Sequence, residues 1–272
     1  VETFMAAGAD ANYFQVSDID FGGAAVSAVA VNGVYDGQNY AIKNFVSKNV
    51  WGRVKGTVKN VKLSGTITCA KEQHSSGIVE VLNGTLENVY AEIKVMITGA
   101  EGWPYYWRGL TAGQLVSGYT ARNIVLVVDD SESPCGYNYF SMDGDNPVDA
   151  STITMENILV YGGTKNLDYS PDFKAYCFNY TEYASLEELY TAVNALVEAG
   201  TLPESFRMEK VSYTVTITAD GVDVTSMYAE TLTQALGEMK AYVGTTIDLT
   251  ELATASTPEG YKLVESTLKG KI

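Results

Sequence analysis

The sequence predicts a mainly β protein: a parallel β-helix, then a helical cap, then a small C-terminal α+β or Ig-like module. Three observations predict it. A short segment centred on asparagine recurs along the chain, apolar residues alternate around each copy, and the composition favours strands and turns. The 272 residues include 19 tyrosines and 25 glycines but only 6 prolines. Aromatic residues suit strands and glycine suits turns, so we expect many short strands.

The recurring segment has a small residue or threonine, an apolar residue or alanine, a charged residue, an asparagine and then alternating apolar residues. Its five copies are residues 41–46, 57–63, 85–91, 120–126 and 154–160. Their asparagines are Asn44, Asn60, Asn88, Asn123 and Asn157, which are 16, 28, 35 and 34 residues apart. Such uneven spacing indicates stacked coils with insertions of different length, rather than a propeller or a helical solenoid with a strict period.

The chemistry of the unit is consistent with such coils. Alternating apolar residues around each asparagine predict short strands that bury one face. Asparagine tolerates the left-handed backbone region, and its amide can bond to the backbone or to another amide. Stacked coils would place the five amides above one another as a structural ladder. The alternative is that asparagine only marks exposed turns of an antiparallel sandwich.

Residues 13–45, which contain DIDFGG and later YDGQNYAIKNF, resemble the opening of GLUG-motif repeat proteins of bacterial surfaces. Residues 76–93 are similar to the repeat body of the family, and weaker copies of the motif are found in residues 51–63 and 109–126. The resemblance covers about residues 11–165 and departs from the motif where Glu80 and Gln114 replace glycines. It implies a right-handed parallel β-helix on a secreted or cell-surface protein, without a defined reaction.

The composition changes after the last copy, which predicts three parts: a β-helix over residues 1–177, a helical cap or linker over 178–207 and a module over 208–272. Residues 185–200 carry a helical apolar stripe, with Ser185 and Glu188 as a capping box and Gly200 as the stop signal. We expect this helix to cover the open end of the β-helix. The alternative is a helix packed only on the next domain.

The last 65 or so residues read as strand, helix and strands. SYTVTITADG is an alternating strand that ends at an Asp-Gly turn, and a helical stripe begins at Thr231. The stretch PEGYKLV weakly resembles repeats of the mucin-binding type on Gram-positive surface proteins.

The net charge of the sequence limits the classes of binding partner that we expect. There are 18 Lys and Arg residues against 33 Asp and Glu residues, a formal net charge of −15. This charge repels phosphate backbones and anionic lipid, so we expect no nucleic-acid partner. No apolar window approaches 18 residues, so we expect no membrane insertion. The start at Val1 without Met suggests a processed product or a fragment, which leaves a secreted origin open.

Few residues are suited to catalysis or to metal binding, and we predict no catalytic site, no metal and no cofactor. The only histidine, His74, is expected in a surface loop. Cys69, Cys135 and Cys177 form no C-x-x-C motif and are expected to be small buried hydrophobes, with at most one disulfide within the chain.

The acidic residues receive structural interpretations. Asp18 and Asp20 are expected to cap turns. The runs at residues 129–133 and 143–145 lack the full pattern of a calcium loop, so solvated loops are expected there.

Two aromatic insertions are the candidate ligand sites. In residues 101–109, an extended segment would send successive rings to opposite sides, which leaves one set exposed to a sugar or a protein partner. The candidate residues are Trp103, Tyr105, Tyr106, Trp107, Arg108, Tyr137 and Tyr139. The alternative is that the rings of the first insertion fold over the flank of the β-helix.

The sequence therefore predicts a non-enzymatic, extracellular adhesin or stalk module. It would be secreted or attached to a bacterial cell surface, and would bind a glycan or a host or neighbouring surface protein through inserted loops. A phage tail or capsid fibre is an alternative, and a carbohydrate-active β-helix enzyme is another.

Overall fold

A computed structural model of the chain describes residues 8–70, 77–98, 109–134, 137–142, 150–164, 179–208, 214–219, 222–223 and 265–269. The chain divides into two compact units, Val1–Arg207 and Met208–Ile272. The fold is mainly β, as the sequence predicted, and the first unit contains two parallel sheets.

Fourteen strands of the described residues belong to the first unit. They are β1 (Tyr13–Phe14), β2 (Ile19–Asp20), β3 (Val29–Val31), β4 (Val34–Asp36), β5 (Ala41–Ser47), β6 (Asn49–Val54), β7 (Thr57–Ala70), β8 (Gly77–Leu82), β9 (Thr85–Thr98), β10 (Gly109–Leu115), β11 (Thr120–Asp129), β12 (Asn138–Met142), β13 (Thr154–Tyr161) and β14 (Thr181–Tyr183). A short 3₁₀ helix, Ala150–Thr152, precedes β13.

The strands form two sheets. Sheet A has the order β1-β4-β7-β9-β11-β13-β14, with β2 paired to β5 and β5 paired to β7. Sheet B has the order β12-β10-β8-β6-β3. The described pairs in both sheets are parallel. This pairing contradicts the antiparallel-sandwich alternative for this unit.

The chain alternates between the sheets, and we call a sheet B strand together with the following sheet A strand a rung. The rungs are β6–β7, β8–β9, β10–β11 and β12–β13, with β3–β4–β5 before them. Successive rungs are in register, since the first residues of their sheet A strands, Thr57, Thr85, Thr120 and Thr154, pair side by side. Each rung therefore supplies the hydrogen-bonding edge for the next.

The core lies between the sheets and consists of in-register columns. One column joins Val61, Val89, Ile124 and Ile158, each at most 2% exposed. A second column joins Leu63, Ala91, Leu126 and Val160. Apolar residues of successive rungs pair with one another because side chains alternate between the two faces of a strand and the register is constant.

Glycine occupies the tight turn from sheet B to sheet A. Gly33, Gly56 and Gly84 follow β3, β6 and β8, and their backbones stack closely. A Cβ at Gly56 would lie 1.9 Å from the carbonyl oxygen of Gly33, and a Cβ at Gly84 would lie 2.2 Å from that of Gly56. The absence of a side chain at this turn therefore permits the stacking distance.

The predicted helix is present as α1 (Leu186–Glu198). The side chain of Ser185 accepts a hydrogen bond from the backbone of Glu188, whose carboxylate accepts one from the backbone of Ala184. Gly200 takes a left-handed conformation with φ 71° after the helix ends. The capping box and the glycine stop thus act as the sequence predicted.

The helix contacts the outer face of sheet A, the face opposite the core columns. Val125 and Leu159 alternate with core residues on their strands, yet both are at most 3% exposed and lie outside the main core cluster. Helix α1 packs on β13 and β14 through Leu189, Val193 and Val197. These contacts contradict the alternative that the helix packs only on the next domain, and the cover of the open end of the stack stays a prediction.

A 3₁₀ helix, Glu204–Phe206, extends this cover across more rungs. The Phe206 ring meets the ring of Tyr90 on β9 edge-to-face, with centroids 6.1 Å apart. Ser205 donates a hydrogen bond to the side chain of Asn39 at 2.8 Å. We call residues 186–206 the strap.

The second unit contains a three-stranded antiparallel sheet in the order β16-β15-β17, with β15 (Thr214–Ala219), β16 (Val222–Asp223) and β17 (Glu265–Lys269). Strand β15 falls where the sequence predicted a strand before an Asp-Gly turn. The predicted helix after Thr231 lies outside the described residues.

The glycine turn generates a stability prediction. We expect Gly56→Ala to lower the free energy of unfolding by about 1–3 kcal/mol, because the new methyl group overlaps a backbone oxygen that cannot move independently. Urea unfolding followed by circular dichroism measures the change. Gly52→Ala is the matched control, since its Cβ would meet its nearest atoms at an ordinary 3.7 Å. Equal stability of the two variants would contradict the close stacking.

Candidate functional site

Four of the repeated asparagines bend the sheet A strands at one shared position. Asn60, Asn88, Asn123 and Asn157 have φ values of 53°, 52°, 55° and 51°. This left-handed region is unfavourable for most residues but accessible to asparagine. The residue type is therefore selected by the backbone of the bend.

The side-chain amides at these bends form one continuous hydrogen-bonded chain, and each Nδ2 donates towards the N-terminal rungs. The donor and acceptor pairs are Asn157 to Asn123 at 2.9 Å, Asn123 to Asn88 at 2.9 Å, Asn88 to Asn60 at 2.8 Å and Asn60 to the carboxylate of Asp36 at 3.0 Å. This is the stacked arrangement that the sequence predicted for four of the five asparagines.

Asn44 does not belong to this chain. It also has a left-handed φ of 57°, but its Nδ2 donates to both carboxylate oxygens of Asp20 at 3.0 Å. Strand β5 pairs with the second half of β7, and Asn44 is skipped in that pairing, because Lys43 and Phe45 pair with the consecutive residues Ser64 and Gly65. Asn44 therefore lies at a separate bend, and the expectation of one ladder of five is corrected.

The amide chain ends on the carboxylate of Asp36, and the separate amide of Asn44 bonds to the carboxylate of Asp20. Burial raises the pKa of Asp36, but hydrogen bonds from Asn60 and from the backbone of Gln38, together with the Lys59 ammonium, outweigh it and hold the pKa below its usual value. Hydrogen bonds from Asn44 and from the backbone of Gly22 likewise lower the pKa of Asp20. Both carboxylates stay ionised near neutral pH and act only as acceptors.

Sequence reasoning missed the next position of the ladder. Leu159 pairs with Thr181, so the residue beside Asn157 is Asn179. The Nδ2 of Asn179 donates to the backbone oxygen of Met155 at 3.2 Å and not to Asn157. The asparagine chain therefore stops at Asn157, although a further asparagine follows in register.

The C-terminal end of the stack carries a polar cluster around Asp130, which is 3% exposed. Tyr137 donates to one oxygen of this carboxylate at 3.1 Å, and Thr164 donates to the other at 2.7 Å. Burial, and then the charge of Asp130, raise the pKa of Tyr137. The phenol therefore stays protonated and serves as a donor.

A second acid faces the same end. Glu182 pairs with the core residue Val160 across the last two rungs, so a carboxylate continues an apolar column. Tyr139 hydrogen-bonds Glu182, and burial, followed by that charge, raises the pKa of Tyr139. The Tyr139 ring also meets Tyr180 edge-to-face at 5.1 Å.

These contacts correct the placement of two candidate ligand residues. Tyr137 and Tyr139 are each only 2% exposed and belong to the main core cluster. Their alternation fits a strand as well as it fits a display loop, and their hydroxyls are held by Asp130 and Glu182. They close the polar end of the core and do not present free rings to a ligand.

The other acidic candidates are placed as follows. Asp18 accepts from the backbone of Ala41 and from Lys43, so it ties neighbouring rungs. Asp129 accepts from Ser131 within a turn. The expected solvated loop at residues 129–133 is thus wrong for Asp130, which is buried.

Several predicted positions lie outside the described residues. They are His74, Trp103, Tyr105, Tyr106, Trp107, Arg108, Cys135, Asp143, Asp145 and Cys177. The backbone of Cys69 lies in β7, but its side chain is outside the described set.

The bounds of the described strands give the length of each connection between the two sheets. Residues 71–76, 99–108 and 130–137 join the end of a sheet A strand to the start of a sheet B strand. Of the opposite connections, residues 55–56, 83–84 and 116–119 are short, whereas residues 143–153 between β12 and β13 form a long one. Since the rungs are in register, the three connections that follow sheet A strands leave from one edge of the stack.

The arrangement offers acceptors and neutral phenols and suits binding better than proton transfer. Within the described ranges, no group of three or more His, Cys, Asp or Glu side chains is placed to hold a metal ion. In the same part of the chain, no helix is long and apolar enough to cross a membrane.

Comparison of the chain with protein-family models, with curated proteins and with solved structures finds no match. The resemblance to GLUG-motif proteins therefore stays a prediction from the residues.

The amide chain predicts a large effect of one internal substitution. We expect Asn88→Ala to lower the free energy of unfolding by about 2–4 kcal/mol, because it removes two side-chain hydrogen bonds and places alanine in a left-handed bend. Asn88→Gly keeps the backbone relaxed and should lose less. Chemical unfolding of both variants separates the two contributions, and wild-type stability of Asn88→Ala would contradict the ladder.

Asp36 predicts a pH dependence. Because its pKa is lower when folded than when unfolded, its contribution to stability is present above about pH 4 and is lost as the pH falls through the folded pKa. Asp36→Asn should therefore be less stable than wild type at pH 7, and the difference should shrink towards pH 2.5. Urea unfolding across this range tests it, and a constant difference would show that the carboxylate charge is irrelevant.

Proposed function

We propose that the first unit is a right-handed parallel β-helix that serves as an extracellular, non-enzymatic display module. It would act as an adhesin or stalk at a bacterial cell surface and present inserted loops to a glycan or a surface protein. The alternation of strands between two parallel sheets supports the β-helix, since each rung returns to the same register.

One observation carries the proposal: rung geometry is constant while the connections between the strands vary in length. The amide chain and the threonine register repeat through four rungs, although the intervals between bends are 28, 35 and 34 residues. The extra residues lie after sheet A strands, in residues 71–76, 99–108 and 130–137, and after the sheet B strand β12, in residues 143–153. A rigid scaffold with connections of variable length is a common basis for recognition surfaces.

The composition of one connection indicates the kind of partner. Residues 99–108 between β9 and β10 include Trp103, Tyr105, Tyr106, Trp107 and Arg108. Tryptophan, tyrosine and arginine are the residue types enriched in binding hot spots, and aromatic rings also stack on sugars. The net charge of −15 favours neutral or cationic partners.

The experiment is a binding screen of the full chain on glycan arrays and on intact bacterial and host cells. We expect binding that falls at least tenfold in Trp103→Ala plus Trp107→Ala, because stacking surface is lost. Trp103→Phe plus Trp107→Phe is the matched control and should keep most of the binding. A reducing-sugar assay on each bound glycan should detect no release. Glycan turnover would overturn the non-enzymatic assignment, and undiminished binding by the alanine variant would overturn the role of this connection.

A further inference from the structure

The outer face of sheet A carries a tyrosine pair that no sequence motif indicated. Tyr161 on β13 pairs with Tyr183 on β14, and Val127 on β11 pairs with Tyr161. Glu92 on β9 continues the same row. We call these four residues the tyrosine column.

Strand alternation shows which way the column faces. Val160 is buried in the core, so its neighbour Tyr161 lies on the outer face together with Leu159. Glu182 pairs with Val160, and Tyr183 therefore shares the outer face with Tyr161. Both tyrosines are partly exposed, whereas the outer-face residues Val125 and Leu159 are buried.

The tyrosine column lies between an apolar region and a charged region of the outer face. On one side the strap covers Val125 and Leu159. On the other side, two residues further along the strands, Lys94 pairs with Asp129, and the Lys94 ammonium lies 2.7 Å from the Glu132 carboxylate. The two tyrosines therefore lie on the outer face between the apolar residues under the strap and the charged residues around Lys94. Their strands are about 4.8 Å apart.

Polar groups at the column can orient a ligand. Glu92 accepts a hydrogen bond from Tyr90, which leaves further lone pairs of its carboxylate for other donors. Asp129 and Glu132 add two carboxylates against the single ammonium of Lys94. This surface accepts hydroxyl donors and repels anions.

We propose that the tyrosine column is a binding subsite for a neutral saccharide, whose C–H face stacks on Tyr161 and Tyr183 while its hydroxyls donate to Glu92. The large apolar side chains that are exposed among the described residues, Phe14, Val16, Tyr40 and Val46, lie in the first rungs, away from this column. Two phenols bordered by carboxylates suit a sugar better than an apolar protein partner. This inference rests on the proposed function and names its ligand class.

The test uses the full chain and an array of neutral oligosaccharides built from glucose, galactose, mannose or N-acetylglucosamine, with sialylated and uronic-acid counterparts. Titration calorimetry then measures the dissociation constant for the best neutral oligomer. We expect Tyr161→Ala plus Tyr183→Ala to weaken binding more than tenfold. The pair of phenylalanine variants keeps the rings and should bind within about threefold of wild type. Thermal unfolding verifies that both variants are folded.

The outcomes separate the two proposals. Loss of neutral-glycan binding in the tyrosine variants, but not in Trp103→Ala plus Trp107→Ala, supports the column. The opposite pattern overturns the column and leaves the display function standing. Preference for the anionic glycans, or no glycan binding by the wild-type chain, also overturns the column. If the chain binds neither glycans nor cells, both proposals fail.

Discussion

The left-handed bend at asparagine is the constraint on which the first unit depends. At Asn60, Asn88, Asn123 and Asn157 the backbone enters a region that most residues avoid, and the side-chain amide then bonds to the bend of the neighbouring rung. Backbone shape and side-chain chemistry thus select the same residue. Because each bend is tied to the next, the register of the flanking residues follows, and so do the apolar columns of the core.

A constant register has a consequence for where the chain can vary. Glycine at residues 56 and 84 leaves almost no space on the turn from sheet B to sheet A, since a methyl group there would meet a backbone oxygen. The connections that follow sheet A strands differ in length, and a glycine stacks closely at that edge as well, since a Cβ at Gly162 would lie 2.1 Å from the backbone oxygen of Val128. A constant strand register with connections of different length explains how one repeated unit can keep its core while the intervals between the four bends range from 28 to 35 residues.

Much of the scaffold could be predicted from the residues. The bend at asparagine, the stacking of the amides and the capped helix rest on local chemistry that a short segment displays by itself. The position of Asn44 was predicted wrongly because its segment looks like the other copies. The turn at residues 37–40 places β5 beside the second half of β7, whereas β4 pairs with the first half, so Asn44 is not aligned with Asn60. The burial of Tyr137 and Tyr139 could not be read from alternation, since it depends on Asp130, just after β11, and on Glu182 of β14. The tyrosine column was equally hidden, because Tyr161 and Tyr183 become neighbours only through strand pairing.

The amide chain also has a direction. Asp36 can only accept, so Asn60 must donate to it and leave its own oxygen for Asn88, and this choice is repeated up to Asn157. The four side-chain dipoles therefore align along the stack and add, as peptide dipoles do in an α-helix. Their positive end points at the Asp36 carboxylate, and their negative end is the amide oxygen of Asn157. A sheet, whose backbone dipoles largely cancel, thus acquires an axial electrical polarity from its side chains.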